Sequence, residues 1–81
     1  MAEQTGVQRG LTFGERAVGL TFNPSGDASV QHFKQKFAEI IDALNEHREA
    51  TRDPEVKRML SIAITDSQSA QMWAVKAATW R

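Results

Sequence analysis

Thr51-Arg52-Asp53-Pro54-Glu55 is the stretch that decides how this chain folds. Asp53 can cap a helix, Pro54 suits a first helical position, and Glu55 favours the positive end of a helix dipole. These five residues therefore end one helix and start another. Beyond them, no Gly or Pro interrupts the chain through Thr79. A second helix is predicted over about residues 54–79, roughly 40 Å long at ~1.5 Å per residue.

On the other side of the break, Val30, Phe33, Phe37, Ile40, Ile41 and Leu44 recur at the three-and-four spacing of one helix face. Gln31, Lys34, Gln35, Glu39, Asp42 and Glu46 fill the opposite side. A first helix is predicted over about residues 28–50, capped by Asp27 or Ser29. Two helices joined by so short a link make an antiparallel hairpin, and the fold class is all-α. Residues 27–81 form this hairpin.

The second helix carries more apolar surface than one neighbour can cover. One face reads Val56, Met59 with Leu60, Ala63, Ala70, Trp73 with Ala74, and Ala77. Another reads Ile62, Ile64, Met72, Val75 and Trp80. A helix apolar on most sides is buried on most sides. In a chain of 81 residues the second cover has to come from other copies, so a compact homo-oligomer is expected. Ser67, Ser69 and the alanines leave room for close helix approach.

Residues 1–26 read as an arm. They hold all five glycines (Gly6, Gly10, Gly14, Gly19 and Gly26) and Pro24. That density argues for an ordered loop with one short turn, closed by Asn23-Pro24-Ser25-Gly26.

Composition narrows the function. A core this small rarely supplies more than ~3–5 kcal/mol, and self-association is the staple left to a chain without Cys. Ten basic and ten acidic residues give zero formal charge, against the basic excess of a duplex-DNA binder. No apolar run reaches the ~20 residues of a membrane span, and the polar MAEQTGVQRG start has no secretory h-region. A cytoplasmic location is expected.

Catalytic patterns are missing. There is no Cys nucleophile and no GxSxG elbow, and GLTFGER lacks the GK[ST] of a phosphate-binding loop. Asp42, Glu46, His47 and His32 share the first helix but make no inward Glu-x-x-His motif, so they read as a solvated row. Neither His has an evident partner for acid–base work. No enzyme, no cofactor and no metal are expected.

The arm is better suited to binding. Phe13 and Phe22 can stack on bases, and Arg16 and Lys34 can meet phosphate. Gly26 permits close backbone approach, and Asn23 and Ser25 can read polar edges. The plain alternative is that Phe13 and Phe22 only tack the arm to the hairpin. Trp73 and Trp80, seven apart, read first as core or interface rings.

AVGLTFNPSGDASV, FAEIIDALNEHRE and SIAITDSQSAQMWAVKAATW together resemble the hairpin domain of the phage anti-CBASS and anti-Thoeris sponge family. The likeness covers about residues 13–80. Its most specific pieces are FNPSGD at 22–27, IIDAL at 40–44, and the run from Ser61 to Trp80. The resemblance implies a helical hairpin with an N-terminal arm, assembled as a hexamer in the host bacterial cytoplasm. It implies binding of cyclic dinucleotides, and in some members of cyclic trinucleotides or cyclic ADP-ribose isomers, held intact so that the host effector stays silent. The family's arm Tyr has no counterpart, since this chain has no Tyr; Phe13 or Phe22 takes its place. Its early-helix Lys falls near Gln31, with Lys34 one turn on. Its Arg and Thr in the second helix fall at Ser61 and Thr65, with Arg58 a turn before. The expected ligand-binding set is therefore Phe13, Arg16, Phe22, Asn23, Pro24, Ser25, Gly26, Gln31, Lys34, Arg58, Ser61 and Thr65. The competing reading is an oligomeric helical protein that binds a host or phage protein. An enzyme degrading the signal is the weakest reading.

Overall fold

Two aspartates set where the long helices begin. The computed structural model describes residues 10–81, and the first nine residues of the arm lie outside it. Among the described residues there are three helices and no strand: α1 (Phe13–Ala17), α2 (Ala28–Ala50) and α3 (Pro54–Ala78). The Asp27 carboxylate accepts from the backbone N–H groups of Ser29 and Val30 at 2.8 and 3.0 Å, satisfying two donors at the start of α2. Asp53 accepts from Glu55 N–H at 2.9 Å, and Pro54 opens α3. Between them, Thr51 closes α2 by donating to the His47 carbonyl at 3.0 Å, and α3 returns along α2.

The arm is more ordered than a loop with one turn. Thr12 and Glu15 form a reciprocal capping box, at 3.1 and 2.9 Å, that starts α1. The box satisfies both orphan donors locally, which lets a five-residue helix form beside a glycine. Gly14 is also required by packing. Its N–H donates to Asp42 Oδ1 at 2.6 Å, and a Cβ there would overlap the Ala38 carbonyl oxygen. Asp42 is accordingly half-buried under α1, not part of a solvated carboxylate row. After α1 the chain turns through residues 18–21, with Gly19 at φ 63°.

The core lies where α1, α2 and α3 meet. Val18, Ala38, Ile41 and Ile64 are buried, with Ala17, Leu20, Phe37 and Leu44 packed against them. Burying one side chain such as Ile41 stabilises by about 1.5–3 kcal/mol. This assignment corrects two helix faces. On α2 the buried stripe is Val30, Lys34, Ala38 and Ile41, while Ile40 is 50% exposed. Lys34 therefore sits on the buried side, not the polar one. On α3, Ile64 and Gln71 face inward and Val75 is half-buried. Met59, Ile62, Trp73 and Trp80 point outward, Trp73 at 70% and Trp80 at 71% exposure. Of the two apolar faces, each therefore splits: Ile64 and Val75 turn inward, while Ile62, Trp80, Met59 and Trp73 do not.

The Cα frame measures 43 × 36 × 12 Å, so the helices lie in a flat arrangement. Among the described residues nothing covers the outer face of α3. No helix among the described residues is long and apolar enough to cross a membrane.

Candidate functional site

Residues 19–26 run between two open clefts, and the structure divides the predicted arm residues between them. The first cleft, about 710 Å³, is lined by Leu20, Thr21, Asn23, Gly26, Ala28, Gln31, His32 and Gln35. It brings together three predicted residues, Asn23, Gly26 and Gln31. The Asn23 amide is committed to its own turn: Nδ2 donates to the Asp27 carbonyl at 2.9 Å and Oδ1 accepts from Asp27 N–H at 3.3 Å. The Gly26 N–H donates to the Asn23 carbonyl at 3.0 Å. Asp27 caps the start of α2 with a negative charge. The turn N–H and the first donors of α2 are thus occupied. Pro24 and Ser25 are exposed at the tip of the turn.

The second cleft, about 540 Å³, lies on the α3 side. Arg16, Phe22 and Lys34 line it with Ala17, Val18, Gly19, Gln71, Met72 and Val75. Three predicted side chains meet here: two cations and one ring. No carboxylate is among the lining residues. Phe22 is 72% exposed, so it does not tack the arm down.

Lys34 is the centre of this arrangement. It is 5% exposed, and its ammonium donates to the carbonyl oxygens of Gly19 (2.9 Å) and Phe22. Its Nζ also lies 5.5 Å from the Phe22 ring centroid. The methylene stem passes through apolar surroundings while the charge finds carbonyls at the rim. Burial lowers its pKa from the ordinary 10.5. An ammonium has three donors, and two are used on the turn. Lys34 therefore fixes the shape of residues 19–22 and keeps one N–H for a further acceptor.

With this geometry in view, the sequence model of the Acb2/Tad1 hairpin domain matches residues 15–79. That span takes in α2, α3 and all of the arm from Glu15 onward. The chain belongs to the Acb2/Tad1 hairpin family. This is the anti-CBASS and anti-Thoeris sponge family, whose members bind cyclic-nucleotide signals and do not cleave them. Neither the curated proteins nor the solved structures give a significant match.

The remaining predicted residues of this Acb2/Tad1 domain do not join the two clefts. Arg58 is exposed and paired with Glu55, at 3.0 and 2.5 Å. Thr65 is exposed on α3. Ser61 is half-buried and accepts from Arg48 Nη1 at 3.0 Å. Arg48 also donates to Asn45 Oδ1 at 2.7 Å and stands 5.5 Å over the Phe13 ring. Phe13, Asn45, Arg48 and Ser61 thus form a cluster drawn from all three helices.

Sequence reasoning missed Arg48 and Gln71. Both carried a spacing signal: Arg48 lies seven residues after Ile41, and Gln71 seven after Ile64, each on a buried stripe. Among the described residues, no group of three or more His, Cys, Asp or Glu gathers closely enough to hold a metal.

Proposed function

We propose that this chain is a stoichiometric sponge that holds a cyclic dinucleotide in the Arg16–Phe22–Lys34 cleft without cleaving it. The observation that carries this reading is the convergence of two cations and an exposed ring on a cleft with no carboxylate, in a member of a sponge family. Phosphate meets Arg16 and the free N–H of Lys34. The Phe22 ring stacks on a base, an interaction worth ~1–3 kcal/mol in nucleic-acid complexes. A volume near 540 Å³ lies in the range of small-molecule sites, ~300–1,000 Å³. Because Lys34 already holds the turn at Gly19 and Phe22, little ordering entropy is lost on binding.

The same reading extends to cyclic trinucleotides and cyclic ADP-ribose isomers as further ligands. The Arg48–Ser61–Phe13 cluster supports a second subsite, because it sets a guanidinium beside a hydroxyl and a ring. The sponge acts in the host bacterial cytoplasm as a homohexamer, with the outer face of α3 covered by other copies. It needs no cofactor and is not an enzyme.

Isothermal titration against a panel of cyclic dinucleotides, cyclic trinucleotides and cyclic ADP-ribose isomers tests this. One class binds saturably, and ligand recovered after denaturation co-elutes with the starting compound. Arg16→Ala and Phe22→Ala each weaken binding about tenfold or more while the oligomer stays intact, in line with the loss of one charged or stacking contact. If both variants bind like the parent, the ligand sits elsewhere.

A further inference from the structure

Gln71 is 6% exposed and stands on the inner face of α3, in line with Ile64 and Val75. The nearby Gln68 is used by the fold, since its Nε2 donates to the Ala17 carbonyl at 3.3 Å and ties α3 to α1. Gln71 makes no such tie. Among the described residues its carboxamide makes no hydrogen bond. Buried polar groups are nearly always paired, and an unpaired one calls for a reason. Its place supplies one, since Gln71 lines the 540 Å³ cleft beside Phe22, Lys34, Met72 and Val75.

We infer that Gln71 is the specificity-determining residue of this cleft and reads the edge of an adenine base, an inference that rests on the sponge reading above. A carboxamide offers a donor beside an acceptor. On the N7 edge of a purine the match is adenine's, with N6–H next to N7, whereas the same edge of guanine offers two acceptors and suits Arg or Lys. Met72 and Val75 give the amide an apolar flank, where a hydrogen bond is stronger and an unmatched group more costly. Phe22 supplies the ring and Lys34 the cation, so base and phosphate are held from different walls.

The test uses the full chain and two substitutions. Gln71→Met keeps length and removes both hydrogen-bonding groups. Gln71→Glu keeps shape but loses the donor. Cyclic di-AMP and cyclic di-GMP are titrated into parent and variants, and melting is followed alongside. The parent prefers cyclic di-AMP. Gln71→Met melts at or above the parent temperature, because an unpaired amide has been removed, yet binds cyclic di-AMP ten- to a hundredfold more weakly. Gln71→Glu binds it more weakly than the parent too. The inference is overturned if Gln71→Met binds cyclic di-AMP within twofold of the parent, or if the parent prefers cyclic di-GMP. It is also overturned if Gln71→Met melts well below the parent, since the amide then holds the fold together. A parent that binds none of the cyclic nucleotides in the wider panel sinks the sponge reading itself.

Discussion

At the junction of α1 with α2 the chain buries a charge, a carboxylate contact and bare backbone; along the outer face of α3 it leaves Met59, Ile62, Trp73 and Trp80 in the open. The junction is specified atom by atom. Gly14 lies against the Ala38 carbonyl, Asp42 takes the Gly14 N–H, and Lys34 holds two turn carbonyls. The α3 face is specified only by character, since any large apolar side chain keeps it apolar. The first region stabilises one chain. The second contributes little to one chain and stays uncovered among the described residues.

Breaking the junction gives the largest effect. Gly14→Ala places a methyl group on the Ala38 carbonyl. Relief requires α1 to lift, which also loosens the Asp42 bond. The expected cost is about 3 kcal/mol, read from urea unfolding. Hydrogen exchange in α1 and residues 18–22 rises more than in α3.

Lys34→Met is the next largest. The stem keeps its packing, but the Gly19 and Phe22 carbonyls lose their donor. Leaving such acceptors unmet costs about 1–3 kcal/mol. Thermal melting measures the loss, and hydrogen exchange shows it concentrated in residues 19–22. A loss spread evenly over α3 would mean that Lys34 does not hold the turn.

The legible part of the fold was whatever the sequence settles within a few residues. Asp27, Asp53 and Pro54 cap the helices they adjoin, so the hairpin could be read from them. The Gly14 contact could not, because its partners lie 24 and 28 positions away at Ala38 and Asp42, and nothing local marks them. Lys34 and Gln71 were hidden differently. Both fall on the buried period of their helices, but a charged or amide side chain is read as outward-facing by type. Stem length lets Lys34 break that rule. For the site, Arg16, Phe22 and Lys34 were visible as residue types and do share one cleft, while their amide neighbour was not. The Asn23–Gly26 turn was legible, but not that it spends the Asn23 carboxamide and the Gly26 N–H on its own backbone.

A smaller effect belongs to an exposed pair at the start of α3. The Arg58 hydrogen bond holds the Glu55 carboxyl below its ordinary value of 4.5. As pH falls, the unfolded chain takes up this proton first, so the pair's stabilisation is present above about pH 4.5 and is lost as pH drops toward the lowered value. Full exposure keeps the contribution minor. Glu55→Gln therefore removes a shallow part of the acid limb of the stability curve and leaves neutral-pH melting nearly unchanged.

The smallest effect on one chain is expected where the most apolar surface is changed. Trp73 and Ile62 are 70% and 46% exposed, so replacing either with Glu costs an isolated chain little, within about 0.5 kcal/mol for a surface site. Lys76 lies 5.8 and 5.9 Å from the Trp73 and Trp80 rings, and Trp73→Glu exchanges that contact for an ion pair on the same helix face. Association responds in the opposite way. A Glu, even one paired with Lys76, is costly to bury between copies, so sedimentation should show the proposed assembly falling to smaller species. Melting that depends on protein concentration in the parent would lose that dependence in Trp73→Glu, because mass action no longer stabilises the fold. A Trp73→Glu protein that keeps the parent's sedimentation would show that the outer face of α3 stays wet in the assembly and that its copies meet elsewhere.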